Sequence, residues 1–407
     1  FVRACPTMTA SDISVRGATA PLAATFAVQT MAAMVLFGVT VIAPAAAPDI
    51  GVEATLIGTF TSIAYGFGML AGLLTSAVTD RYGAIRICQG TMVFAFIGVA
   101  VLTLSTPMAA VASAALLGLC YGPVNPVSTH ILARVSPEKW RPMIFSIKQT
   151  GMPAGSALAG ALLPVIVITF DWRLAIITAG AMALIVAISI QPLRQRLDAT
   201  LRPKRKIRAG DFINPLKLIW REPRLRSLAV IAFAYSGCQV AISVFYVVYL
   251  TAVLALPLTI AGLIFTILQV GAIMGRLFWG ALADRFYPAN RVLVWLGFAT
   301  GTFSIITGLF APGLLIWVVG LVSFLIGATS SGWNGVFFSE LVKYSPSEHT
   351  GEAASGIQFV IMAGVTALPP LFGIIVTVTG GFFPAFFAIG CGMIASAVYL
   401  NVMFRQA

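Results

Sequence analysis

The sequence predicts an all-α membrane protein of twelve transmembrane helices in two pseudo-symmetric six-helix bundles. Three observations carry that prediction. Hydrophobic residues make up 59% of the 407 and charged residues only 9%, whereas a soluble domain is about 25% charged. Apolar runs of about 20 residues, enough to cross about 30 Å of hydrocarbon as helix, recur twelve times. The second half of the chain repeats polar landmarks of the first.

The runs are 22–46, 55–78, 84–104, 108–133, 142–168 and 172–191, then 226–252, 258–281, 292–311, 314–338, 354–378 and 382–403. Residues 1–20 hold no signal-peptide apolar core. Residues 192–224 form the longest connector and carry RPKRKIR at 202–208. The expected division is a first bundle over 1–191, a central loop over 192–224 and a second bundle over 225–407. RPKRKIR reads as a charge that stays on one side of the membrane, or as a contact for anionic headgroups.

Of 25 Lys and Arg, all but Lys148, Arg173 and Arg276 fall at the N-terminus, at 80–86, 134–141, 192–226, 285–291 and 343, and at Arg405. Only Arg173 lies in the opposite loops. The basic excess on one side places both termini in the cytoplasm, in a multi-pass protein of a bacterial inner membrane. The net charge of +12 is therefore topology bias and no sign of nucleic acid. Four of five Cys, at 88, 120, 238 and 391, lie in apolar runs and read as small buried hydrophobes. No residue pattern suggests a metal or cofactor, and no nucleophile set or phosphate loop suggests an enzyme.

The repeat aligns at an offset of about 209. Asn125, Val127, Leu132, Arg134, Ser136 and Pro137 fall on Asn334, Val336, Leu341, Lys343, Ser345 and Pro346. Asp80-Arg81 falls on Asp284-Arg285 at an offset of 204, and Lys148 meets Gln358 with one residue inserted. Two halves of six spans in the same orientation form a transporter architecture.

TDRYGAIR (79–86) and GALADRFYPANR (280–291) resemble the signature loops of the major facilitator superfamily. The resemblance covers the whole chain. The first loop has Ser76 where the family prefers Gly, and the second lacks the later Gly and inserts Tyr287-Pro288. It implies alternating access in a monomer, with Asp80, Arg81, Asp284 and Arg285 as a gate, or as plain helix caps. It further implies that spans one, four, seven and ten line a cavity, with Gln29, Asn125, Gln239 and Asn334. Arg276 resembles arginines that grip the substrate in monocarboxylate and oxalate carriers, whose guanidinium fork suits a carboxylate; the other reading is an ion pair with a helix end or with Glu340. Proton-coupled relatives carry an Asp one turn earlier, where this chain has Ala272. Glu340 and His130 remain as proton-coupling candidates, with Asp80 or the substrate itself as alternatives, and His130 also reads as structural.

An ionisable group deep in a span marks a functional site by default. Lys148 lies about 9–10 Å beyond Arg141 along its helix. Two readings stand: it meets substrate, or it snorkels to the surface or makes a structural pair. Gln149 turns toward a neighbouring helix, and Gly151, Gly155 and Ala159 form a small-residue packing stripe. Gln269 and Gln358 extend the polar set, and Tyr65, Tyr246, Tyr249 and Trp333 read either as an aromatic cavity wall or as ordinary packing. Asn125 lies between Pro123 and Pro126, and Asn334 between Gly332 and Gly335, so both helices are weakened there.

With cations in both halves and no carboxylate at mid-span, the expected cargo is a small organic anion, a carboxylate by chemistry. An anion touching Lys148 of one half and Arg276 of the other would neutralise both. The alternative is an efflux pump for amphiphilic compounds, which for cationic cargo calls for a central acid that is missing.

Overall fold

The computed structural model describes residues 15–137, 140–198, 210–345 and 350–405. Residues 1–7, Cys5 and RPKRKIR at 202–208 lie outside them. The described residues are helical, with no strand. The first half holds α1 (Val15–Ile50), α2 (Ile57–Tyr82), α3 (Ala84–Leu102), α4 (Pro107–Val135), α5 (Arg141–Gln149), α6 (Gly151–Thr169), α7 (Trp172–Ser189) and the short α8 (Arg194–Leu197). The second holds α9 (Gly210–Arg221), α10 (Pro223–Val253), α11 (Leu258–Arg285), α12 (Ala289–Gly308), α13 (Ile316–Ser330), α14 (Trp333–Tyr344), α15 (Thr350–Thr379) and α16 (Phe383–Arg405). Twelve spans are long and apolar enough to cross a membrane. The fifth joins α5 to α6 and the tenth joins α13 to α14.

Helix ends follow local chemistry. Thr106 caps α4 by accepting the Ala109 N–H at 3.2 Å, with Pro107 in the first turn. Asp171 caps α7 by accepting the Leu174 N–H at 2.6 Å. The expected weakening around Asn125 does not break α4, which runs on through Pro123 and Pro126. The tenth span does break, at Ser331–Gly332, just before Asn334. The stretch 192–224 is not all loop: α8 and α9 lie within it, and α9 packs on α10 and α15.

Two compact units emerge: residues 1–51 with 63–207, and 52–62 with 208–407. The segment Val52–Ser62, which opens the second span, thus groups with the second unit. In the first unit α1 packs on α6 and α7, and α3 on α4 and α7. In the second α10 packs on α15 and α16, and α12 on α13 and α16. The repeat read from sequence therefore has the same packing partners twice. α1 and α10 are the inner helices, 89% and 83% buried over their most apolar windows, against 33–61% for the other spans.

Glycines set the closest helix approaches. A Cβ on Gly118 of α4 would strike the backbone oxygen of Ala64 on α2, and one on Gly327 of α13 would strike that of Leu268 on α11. The first pair becomes the second under the offsets of 204 and 209, so this contact repeats with the fold. Cys88, Cys120 and Cys238 are buried as expected. Cys391 is not: it is exposed on α16.

Candidate functional site

In the first unit the polar residues gather where the fifth span breaks. Pro153 lacks the N–H that would bond the Gln149 carbonyl, so α5 stops at Gln149 and α6 starts at Gly151. Thr150 closes the end of α5 by donating its hydroxyl to the Ile147 carbonyl at 2.7 Å. Lys148 sits in that last turn, where a helix C-terminus favours a cation.

The structure narrows the readings of Lys148. Its relative exposure is 0%, so it does not snorkel. Its ammonium turns inward and donates to Asn125 Oδ1 of α4. Among the described residues it makes no ion pair with a carboxylate. Asn125 itself is half-buried.

The neighbouring Gln149 meets α1, where its Oε1 accepts from Gln29 Nε2 at 3.2 Å. The small-residue stripe makes this possible. At Gly151 a Cβ would lie 3.1 Å from the Phe26 carbonyl oxygen, and at Gly155 it would run into the Thr30 carbonyl. On this face of α1, Gln29 Oε1 and Thr30 Oγ1 are buried without a hydrogen-bond partner among the described residues. Tyr65 of α2 is buried, its ring edge-on to Tyr121 of α4 at 5.4 Å.

In the second unit the break at Ser331–Gly332 places Trp333 and Asn334 in the first turn of α14. Gln239 of α10 accepts on one oxygen from Trp333 Nε1 at 2.9 Å and Asn334 Nδ2 at 3.5 Å. Asn334 Nδ2 also donates to the Ser331 carbonyl at 3.2 Å, which holds the break. Trp333 is locked edge-on to Tyr235 and Phe337, at 6.0 and 5.4 Å. Arg276 on α11 and Gln358 on α15 are half-buried, and Gln269 is buried.

Tyr246 and Tyr249 do not wall a cavity. Both are fully buried in the second unit, Tyr246 bonded to Ser323 and Tyr249 to the Thr307 carbonyl and packed among Phe310, Phe382 and Phe386. They are core because α10 is an inner helix on nearly every face.

Glu340 of α14 is 3% exposed. One carboxylate oxygen lies 3.7 Å from Lys343 Nζ, and the other is buried without a hydrogen bond among the described residues. His130 is exposed and lines a small crevice with Ala84, Ile131, Arg134 and Leu197. In the signature loops Arg81 is exposed over the Tyr82 ring at 5.3 Å, and Asp284 and Arg285 are exposed. The Asp80 side chain lies outside the described residues.

Sequence reasoning missed Asp198. Its carboxylate sits at the N-terminus of α3, accepting the backbone N–H of Ile85 at 2.9 Å and of Arg86 at 3.4 Å. The only local signal was Gly83 before a helix start. Among the described residues no cluster of His, Cys, Asp and Glu could hold a metal ion.

The family model of the Major Facilitator Superfamily matches residues 25–365. The chain belongs to that superfamily. This major facilitator protein is thus an integral multi-pass membrane transporter and not an enzyme. It is 22% identical over 369 residues to a hexuronate transporter of Bacillus subtilis, covering 86% of each chain. It is 24% identical over 300 residues to a 4-hydroxybenzoate transporter of Acinetobacter baylyi, covering 66% of this chain and 65% of that one. Among solved structures, a peptide transporter in complex with sulfate shares the fold at a TM-score of 0.75 and 17% identity, over 95% of this chain and 94% of the other.

Proposed function

We propose that this transporter moves a small organic anion bearing a carboxylate, by alternating access. The observation that carries the reading is Lys148: a cation with 0% exposure and no carboxylate paired to it among the described residues. A buried charge without a counter-ion costs several kcal/mol, and a bound anion offsets that cost. Both curated relatives are named for carboxylates, hexuronate and 4-hydroxybenzoate. Asn125, Gln29, Gln149 and Tyr65 in the first unit, and Arg276, Gln239, Asn334 and Gln358 in the second, are the proposed substrate-facing set, with Lys148 and Trp333 buried beside Asn125 and Gln239.

The remaining assignments rest on charge and pattern. Asp80, Arg81, Asp284 and Arg285 act as gates at the basic end, which faces the cytoplasm of a bacterial inner membrane with both termini. Glu340, with its unpartnered buried oxygen, is a stronger proton-coupling candidate than the exposed His130.

The test is thermal stability of the purified protein with glucuronate, galacturonate, 4-hydroxybenzoate, amines and neutral amphiphiles. A ligand at 100 times its dissociation constant adds about 2.7 kcal/mol. Carboxylates alone should stabilise, and Arg276→Gln should abolish the effect while the unliganded protein still folds. Stabilisation by amines or neutral amphiphiles alone would overturn the reading in favour of drug efflux.

A further inference from the structure

We infer that Lys148 and Trp333 are positioning residues, each fixing the orientation of one amide so that its NH2 faces the ligand. The inference rests on the organic-anion reading above. An amide's oxygen and nitrogen are told apart by their partners. A Lys ammonium and a Trp indole N–H are donors with nothing to accept. Lys148 therefore holds the oxygen of Asn125, and Trp333 holds the oxygen of Gln239.

The consequence lies in what is left over. With Oδ1 engaged, Asn125 offers its NH2, and no group among the described residues takes it. With Oε1 engaged by Trp333 and Asn334, Gln239 offers its NH2 in the same way. Each unit thus supplies an amide locked as a donor by a buried donor behind it. Lys148 is 0% exposed and Trp333 2%, so neither meets ligand in this conformation. Asn125 is half-buried, and Gln239, though buried at 8%, is the more exposed member of its pair with Trp333. A donor-only amide favours acceptor-only ligand groups: a carboxylate accepts on both oxygens, whereas a carboxamide accepts on one and turns its own N–H donors on the other side. Lys148 adds charge to its hydrogen bond, which polarises the Asn125 amide and strengthens its N–H as a donor.

The experiment compares binding of 4-hydroxybenzoate and 4-hydroxybenzamide to the detergent-purified protein by microcalorimetry, with galacturonate as a second acid. Size-exclusion profile and unliganded melting confirm folding of each variant. Four variants form a cycle with wild type: Lys148→Met, Asn125→Ala, their double, and Asn125→Asp. Each single change should weaken the acid about tenfold, the scale of one hydrogen bond to a charged group. The double should lose no more than Asn125→Ala alone, because Lys148 works through Asn125. Asn125→Asp should erase the preference for acid over amide, since it swaps two donors for an acceptor.

Should Lys148→Met fail to fold, the cycle of Trp333→Phe with Gln239→Ala asks the same question in the second unit. An additive loss of about 100-fold in either double would overturn the inference alone, because the buried donor would then act on the ligand independently. An acid preference that survives Asn125→Asp would overturn it too. If wild type binds none of the acids, the organic-anion reading falls first and this inference with it.

Discussion

Asp198 accepts the backbone N–H of Ile85 at 2.9 Å, from 113 residues further along the chain. The end of the sixth span is thereby fastened to the start of the third. Gly83, just before α3, has φ 97° and ψ 149°, a conformation that only glycine adopts readily. A Cβ there would fall on the Asp198 carboxylate.

Gly83→Ala should therefore destabilise by about 1–3 kcal/mol, and Asp198→Ala by about 1 kcal/mol through the lost cap. The double variant should cost less than the two singles together, because removing the carboxylate makes room for the methyl group. Chemical unfolding in detergent would measure all three. Strict additivity would show that Gly83 is needed for its backbone angle alone.

Much of this architecture was legible in the sequence because lipid imposes it. Twelve apolar runs and a repeated set of polar landmarks were enough for the spans and the two bundles. The break in the fifth span was equally visible in principle: Pro153 deprives Gln149 of its partner, four residues back. Contacts between helices were not legible. Lys148 and Asn125 could each be named, but their bond spans two helices and depends on how α5 lies on α4. The choice between wall and core for Tyr246 and Tyr249 was not legible for the same reason: composition reveals that α10 is apolar, and packing alone reveals that it is surrounded.

The glycines divide into two kinds that sequence does not separate. Gly118→Val and Gly327→Val should each disrupt one unit, because the new side chain meets backbone that cannot yield. Overpacking of this sort costs about 1–3 kcal/mol or more. Gly90, by contrast, has nothing within 4 Å of its absent Cβ. Gly90→Ala should be neutral or stabilise α3 by up to about 1 kcal/mol through helix propensity. Expression level and monodispersity in detergent would rank them. Equal tolerance of Gly118→Val and Gly90→Ala would contradict the close approach of α2 and α4.

Arg173 stood out as the single cation on the sparsely charged side, and the structure gives it a local partner. It pairs with Asp49 at 3.0 Å, bonds Ser105 Oγ at 2.7 Å and lies over the Trp172 ring at 4.6 Å. The pair is exposed, 38% and 46% at the two side chains, so its own contribution is small. Arg173→Ala should lower stability slightly, and less so in 0.5 M salt than in about 0.05 M. Asp49→Ala should cost more, because Asp49 also accepts from Trp172 Nε1 at 2.9 Å. Melting curves at the two salt concentrations would check both the size and the order.

Tyr246 and Ser323 offer a sharper test, because hydrogen counting fixes the direction of their bond. The two hydroxyls lie 2.6 Å apart, and Ser323 Oγ lies 2.5 Å from the Val319 carbonyl, which can only accept. The single hydroxyl proton of Ser323 goes to Val319, so Tyr246 is the donor to Ser323. Tyr246→Phe then removes a donor and leaves Ser323 bonded, a loss of about 0.5–1.5 kcal/mol. Ser323→Ala leaves the Tyr246 hydroxyl buried without an acceptor and should cost more, about 1–3 kcal/mol. Neither change should alter ligand affinity, since Tyr246 is fully buried in the second unit. Unfolding and binding of both variants would check this. The reverse order of stability would mean that Ser323 donates to Tyr246, and a change in affinity would return Tyr246 to the cavity wall.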